Sequence, residues 1–209
     1  MRKISWFLVG LLYFVLVWLN RVDTSNLIPS PIVKELGSAF VLIAWSLILG
    51  AACHLTWLPS EAVLAPKLKR LATAGLGSLL IQYLLGALSR NYQAGLSCPE
   101  FPKCSDSFLP FSFESSIAFA HRWWGILMLG LFFHLAVAAI KSAPALLAPA
   151  KRASGFSLAQ VFLGIGVVMT QLHPDSRLMH VAIGYALWGH LFFILIRTGG
   201  FRPTLSPQN

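Results

Sequence analysis

Long apolar runs, separated by short polar connections, dominate the hydrophobic pattern of the chain. Six runs cover roughly residues 4–20, 36–58, 71–90, 116–140, 156–173 and 178–197. About 20 apolar residues are enough for a helix to cross a bilayer. Lipid offers no partner to unpaired backbone groups, so such segments must be helical. The pattern therefore predicts an all-α, polytopic membrane protein in a lipid bilayer, with about six transmembrane helices.

Composition agrees with this prediction, since 56% of the 209 residues are hydrophobic and only 11% are charged. The net charge of +9 is spread over alternate connections rather than over one soluble face, which argues against nucleic-acid binding. The positive-inside rule then predicts cytoplasmic N- and C-termini, and we expect a bacterial inner membrane. The basic residues concerned are Arg2, Lys3, Lys67, Lys69, Arg70, Lys141, Lys151, Arg152, Arg197 and Arg202.

The pattern also suggests how the chain is organised. Residues 1–70 would form two N-terminal helices, 71–197 a four-helix bundle and 198–209 a cytoplasmic tail. The first run has the basic start of a signal peptide, but it lacks a small-x-small cleavage site, which favours an uncleaved helix.

A short pattern recurs in the predicted bundle. The third and fifth runs contain Q-x-x-L-G, beginning at Gln82 and Gln160, and the fourth and sixth open with H-x-x-x-G, beginning at His121 and His180. A duplicated hairpin, related by an axis along the membrane normal, would bring both histidines to one depth across a shared cavity. Chance recurrence of a short apolar pattern is the alternative.

Two histidines in matched contexts suggest a haem site. Neutral imidazoles on facing helices suit the two axial positions of a low-spin haem iron, here haem b. Gly125 and Gly184 lie one turn deeper on the same faces as His121 and His180, where a flat macrocycle needs space. The alternative is that these histidines only form hydrogen bonds between helices and the glycines only let the helices approach.

Neighbouring residues have more than one interpretation. His134 and His190 lie about 20 and 15 Å deeper than the first pair, and this unequal depth argues against a second, inner haem. Arg122 could pair with a haem propionate or extend to the lipid headgroups, and both interpretations stay open. Cys98 and Cys104 share a short proline-stiffened outer loop, which favours a structural disulfide over a transient redox pair or a zinc site.

The segments GALSRNYQAGLSCPEFPKC, AHRWWG, QVFLGIGVV and LMHVAIGYALWGHL resemble haem A synthase, a membrane enzyme that oxidises a methyl group of haem O to a formyl group. The resemblance covers about residues 71–196, which is one four-helix half of that eight-helix family. It implies that His121 and His180 are axial ligands and that Cys98 and Cys104 form the outer disulfide.

The chain departs from the family pattern in two ways. Only one half is present, and Ala118 stands where the substrate half of the family has a glutamate. Glu100 and Glu114 are weak candidates to replace it. We therefore expect an oxidoreductase of the haem A synthase type, closest to the cofactor-binding half, that acts on haem O as a homo-oligomer or with a second subunit. The alternative is a non-catalytic cytochrome b with two histidine ligands, for electron relay or oxidase assembly.

Overall fold

The computed structural model describes residues 65–101, 104 and 109–199, and within these ranges it contains helices and no strand. The predicted all-α class is thus confirmed. The first two predicted runs, the cleavage question and the C-terminal tail lie outside the described residues. The division at residues 70/71 and 197/198 into three parts stays a prediction.

Four long helices make up the described part of the chain: α1 (Pro66–Asn91), α2 (Phe113–Ser142), α3 (Leu147–Met169) and α4 (Pro174–Arg197). Each is long and apolar enough to cross a membrane, α3 together with the 3-10 turn that precedes it. The chain is therefore an integral membrane protein.

All four helices begin earlier than the apolar runs predict, by 3 to 9 residues. α3 begins at Leu147 rather than 156, and α4 at Pro174 rather than 178. Pro149 falls in the first turn of α3 and Pro174 is the first residue of α4. The first turn of a helix tolerates proline because its backbone N–H groups have no intrahelical partner there. These two prolines therefore lie at helix starts.

The four helices form a bundle in which each packs against the two beside it. α1 contacts α2 and α4, and α3 contacts the same two helices. Consecutive helices that cross a membrane run antiparallel, so α2 and α4 run in the same direction, and they lie diagonally across the bundle. This arrangement turns the two histidine-bearing helices towards each other.

We call the bundle end at Asn91, Phe113, Met169 and Pro174 the outer end, and the opposite end the inner end, after the orientation that the charges predict. The helices that start at the outer end are capped by local hydrogen bonds. At the start of α2, Ser112 Oγ accepts from Ser115 N at 3.1 Å, and Ser115 Oγ accepts from Ser112 N at 2.7 Å. At the start of α4, His173 Nδ1 accepts from Asp175 N at 3.4 Å. Such caps pair backbone donors that the first turn leaves free.

The buried side chains concentrate at two levels of the bundle. The inner half is filled by large apolar residues, and Ser154 Oγ donates there to Phe132 O across α3 and α2 at 2.7 Å. The second level is the outer end, where Cys98 and Cys104 are buried against the start of α2. The largest buried side chains of the inner level are Leu68, Phe132, Leu135, Leu146, Leu187, Leu191 and Ile194.

Candidate functional site

The level between these two layers contains fewer buried residues than either of them. No side chain is fully buried in residues 80–91, 119–127, 158–169 or 174–186, which are the segments of α1 to α4 at this depth. Close-packed interiors bury side chains completely. We call this level, which contains no fully buried residue, the open layer.

His121 and His180 face each other in this open layer. His121 lies about 12 Å from the start of α2 and His180 about 9 Å from the start of α4, by helical rise. Their ring centroids are 6.4 Å apart and the ring planes are inclined at 67°. The structure thus brings together the two histidines that the sequence pattern pairs.

The separation of the rings can be compared with the geometry of metal ligation. An imidazole nitrogen binds a metal at about 2 Å and the ring centre lies roughly 1 Å behind it, so two rings on one metal have centres roughly 6–6.5 Å apart. The spacing of His121 and His180 falls in this range. Among the described residues no group of three or more His, Cys, Asp or Glu side chains gathers at a metal-binding distance. Two imidazoles at this separation match the ligand pair that a metal held in a macrocycle takes from a protein.

Each of the two rings also carries a nitrogen that needs a partner. His121 Nδ1 and His180 Nδ1 are buried and have no hydrogen-bond partner among the described residues. A buried polar atom without a partner costs about 1–3 kcal/mol. The donor set and its buried nitrogens fit a group that binds between the rings.

The first copy of the repeat forms a reciprocal contact between α1 and α2. Gln82 Nε2 donates to His121 O at 3.1 Å and lies 3.5 Å from His121 Nε2. A Cβ at Gly125 would come within 3.3 Å of that amide nitrogen, and a Cβ at Gly86 within 3.3 Å of His121 Cε1. The amide of Gln82 therefore needs the space at Gly125, four residues after His121. The ring of His121 needs the space at Gly86, four residues after Gln82.

The second copy repeats this contact between α3 and α4. Gln160 Nε2 donates to His180 O at 2.6 Å. A Cβ at Gly184 would lie 3.3 Å from that nitrogen, and a Cβ at Gly164 would lie 3.5 Å from His180 Cε1. The two hairpins thus share one contact pattern, and the recurrence in the sequence is a structural repeat.

The glycines of the H-x-x-x-G motifs were expected to make room for a macrocycle. In the structure, Gly125 and Gly184 accommodate the amides of Gln82 and Gln160. Contact of these glycines with a bound group stays a prediction. The sequence predicts no role for Gln82 and Gln160, although their matched positions in the repeat are a signal for one.

A pair of tyrosines breaks the symmetry of the repeat. The rings of Tyr83 and Tyr185 have centroids 5.4 Å apart between α1 and α4. The repeat places Val161 and Ile126 at the equivalent positions of the other two helices. The sequence analysis missed this pair, which a comparison of the two copies residue by residue reveals.

Arg122 connects the site to the cysteine loop, which we define as the described residues 97–101 and 104. Arg122 Nη1 donates to Glu100 O at 2.6 Å, and Nη2 donates to Cys98 O. The cysteine loop is thereby held against α2. The sequence did not suggest this role of Arg122. The predicted contact of Arg122 with a propionate or with headgroups stays a prediction.

The cysteine loop is packed tightly under this arginine. Cys98 and Cys104 are paired in the structure and both are 0% exposed. Their sulfurs lie 3.4 and 3.6 Å from Ser115 O, and Ala118 is buried in the same cluster. The loop therefore covers the outer end of α2 one turn above His121.

The two glutamates considered as catalytic candidates lie away from the histidine layer. Glu100 is exposed in the cysteine loop, where its backbone carbonyl rather than its carboxylate makes the contact with Arg122. Glu114 lies in the first turn of α2, where an acidic residue is stabilised by the helix dipole. Neither position places a carboxylate at the depth of His121.

The deeper histidines have other surroundings. His134 is exposed on the outside of α2. The Nδ1 atom of His190 lies 2.9 Å from Ala186 O in its own helix, and its ring packs edge-on against Phe156 with centroids 5.0 Å apart. The structure thus gives His190 a packing partner on α3 and leaves His134 on the surface.

The fold and site define a polytopic membrane protein with a pair of histidines that face each other across a four-helix bundle. Residues 8–192 match COX15-CtaA, the family of cytochrome oxidase assembly proteins. The match spans most of the chain, so the protein belongs to this family, which is that of haem A synthase. The resemblance found in the sequence is confirmed, and a role in cytochrome oxidase assembly and haem A biosynthesis follows. Among curated proteins the chain has no match.

Proposed function

We propose that the bundle binds one haem b between His121 and His180 and serves haem A biosynthesis as a cofactor-binding unit. The observation that carries this proposal is the separation of 6.4 Å between the two ring centroids in the open layer of the bundle. When bound, a haem with two histidine ligands supplies one-electron transfer.

The residues of the chain have distinct tasks in this proposal. His121 and His180 bind the iron through neutral imidazole nitrogens, and each is held by the helix packed beside it. The open layer accepts the macrocycle, while the buried inner layer below it keeps water from the cytoplasmic side. The cysteine loop, held by Arg122, covers the site from the outer side.

The charge distribution supports the proposal that the histidine pair lies in the outer half of the membrane. Seven basic residues and no acidic ones lie at the inner end of the described bundle, whereas the acidic residues of the described chain lie at the other end. The positive-inside rule then assigns the basic end to the cytoplasm, and we infer a bacterial inner membrane. The basic residues of the inner end are Lys67, Lys69, Arg70, Lys141, Lys151, Arg152 and Arg197.

Oxidation of haem O to haem A is the finer part of the proposal. The family chemistry is attributed to a glutamate near the substrate, and Ala118 occupies the matching position in a buried apolar cluster. We therefore propose that this bundle holds the cofactor haem, while a second copy or a subunit carrying the glutamate binds haem O. The position of Ala118 also favours the second candidate, a cytochrome b that relays electrons without binding substrate.

The visible spectrum of the detergent-purified protein tests the haem proposal. Wild-type protein should show a low-spin b-type haem, and His121→Ala or His180→Ala should abolish the low-spin signal. His134→Ala and His190→Ala are matched controls because they remove a histidine from the same two helices. Loss of the signal only in the control pair would overturn the ligand assignment.

A further inference from the structure

The glutamines of the Q-x-x-L-G motifs are the polar groups closest to the histidines for which the haem proposal gives no chemical task. Gln82 and Gln160 lie on α1 and α3, and each donates to the backbone carbonyl of the histidine on the following helix. That carbonyl already accepts the intrahelical hydrogen bond of the residue four positions later. The amide therefore adds a second hydrogen bond at the same turn that carries the histidine.

This second bond fixes the histidine in depth. The primary amide has no water to bond within the membrane, and an unpaired amide there is costly. Sliding of α2 along α1, or of α4 along α3, would separate the amide from the carbonyl. The donor–acceptor distances of 3.1 Å for Gln82 and 2.6 Å for Gln160 thus set the register of each helix pair.

The glycines provide space for these contacts. Gly125 and Gly184 let the amides approach the carbonyls, with 3.3 Å between each amide nitrogen and the Cβ that a larger residue would add. Gly86 and Gly164 leave space for the two imidazoles, since an added Cβ would lie 3.3 Å from His121 Cε1 and 3.5 Å from His180 Cε1. The glutamine therefore fixes the depth of the histidine, and the glycine four residues after the glutamine provides the space for the imidazole ring.

We propose that Gln82 and Gln160 are positioning residues that hold the two axial histidines at one depth and in one orientation for the haem iron. This inference rests on the proposed haem function. The haem spectrum of wild-type protein tests that function, whereas the glutamine variants test only the positioning role.

The first experiment replaces each glutamine by methionine, which keeps the length and volume of the side chain but removes the donor. We expect Gln82→Met and Gln160→Met to shift the low-spin electron paramagnetic resonance g values, which depend on imidazole orientation. Interhelical hydrogen bonds in membranes alter equilibrium constants roughly 3- to 15-fold, so haem retention should weaken by a similar factor. Unchanged g values and unchanged retention in both variants would overturn the proposal.

The second experiment uses the glycines as internal partners. Gly125→Ala should disturb the signal like Gln82→Met, because the new Cβ pushes the amide away from the carbonyl. Gly130→Ala is the matched control, since a Cβ at Gly130 in the same helix meets nothing within 4 Å. Gly184→Ala and Gly189→Ala form the corresponding pair in α4, where Gly189 is likewise open.

Combining the variants decides between positioning and general loosening. In Gln82→Ala the amide is gone, so adding Gly125→Ala should cause no further change in the g values. Two residues that act through one contact are non-additive, whereas independent effects add. An additive double variant would refute the proposed contact even if both single variants weaken haem binding. Wild-type protein without a low-spin signal would count against the haem function and this inference together.

Discussion

The contact between Arg122 and the cysteine loop gives a quantitative prediction for the variant Arg122→Ala. Cys98 and Cys104 are both 0% exposed, so a hydrophilic thiol reagent reaches them only when the loop opens. Opening breaks the two hydrogen bonds that the guanidinium donates to Glu100 O and Cys98 O. The rate of disulfide reduction therefore reports the free energy of loop opening.

The magnitude follows from the character of these bonds. A hydrogen bond to a charged group contributes about 1.5–3 kcal/mol when buried. Arg122 is only partly buried, so we assign about 1.5–3 kcal/mol to both bonds together. Since about 1.4 kcal/mol is a factor of ten, Arg122→Ala should speed reduction roughly 10- to 100-fold. Arg122→Lys keeps the charge but loses the planar guanidinium. Its rate of disulfide reduction should therefore lie between those of wild-type protein and Arg122→Ala.

The assay follows reduction of the purified protein by dithiothreitol, with free thiols trapped by alkylation and counted by mass. Arg177→Ala is the matched control because Arg177 is an exposed arginine at the outer end of α4. A wild-type reduction rate in Arg122→Ala would show that the guanidinium does not hold the loop. Equal acceleration in Arg177→Ala would attribute the effect to charge alone.

Three further predictions concern orientation, packing and activity. In spheroplasts, an impermeant thiol reagent should label the cysteine loop only after reduction; labelling without reduction would contradict the disulfide, and no labelling after reduction would contradict the outer location. Gly75→Ala should lower stability by about 1–3 kcal/mol, because the added Cβ would lie 2.9 Å from Phe132 Cε1. Gly77→Ala is the control, since a Cβ there meets nothing within 4 Å. Thermal denaturation in detergent measures the stability of both variants. The chain expressed alone should convert haem O slowly or not at all, with the formyl product followed chromatographically. Robust conversion would refute this, and its loss in Glu100→Gln or Glu114→Gln would identify a substitute glutamate.

The parts of the fold that the sequence predicts are those set by apolar length and by the repeat. Four of the six runs fall within the described residues, and each corresponds to a helix there. His121 and His180 were paired correctly because their motifs have the same length, begin near the same end of parallel helices and recur with the same partners. Periodicity and duplication are properties that sequence letters record directly.

Contacts with backbone atoms are the parts that the sequence does not reveal. Arg122 binds the carbonyls of Glu100 and Cys98, and a carbonyl has no residue type by which to recognise it. The same reason hid the role of Gln82, whose acceptor is the backbone of His121. The early start of α3 was missed because Lys151 and Arg152 end the apolar run, although a helix can continue into the headgroup region.

Duplication of the hairpin also explains how one local contact pattern places a histidine on each side of the bundle. Within one hairpin, the glutamine and two glycines fix a histidine relative to its neighbouring helix, with no information about the other hairpin. When the hairpin is repeated about an axis along the bundle, the second histidine arrives at the same depth from the opposite side. In the proposed haem site, His121 and His180 would therefore contribute equivalent ligands from the two hairpins. The pair of Tyr83 and Tyr185 has no counterpart in the repeat, so the residues around the two histidines are not equivalent.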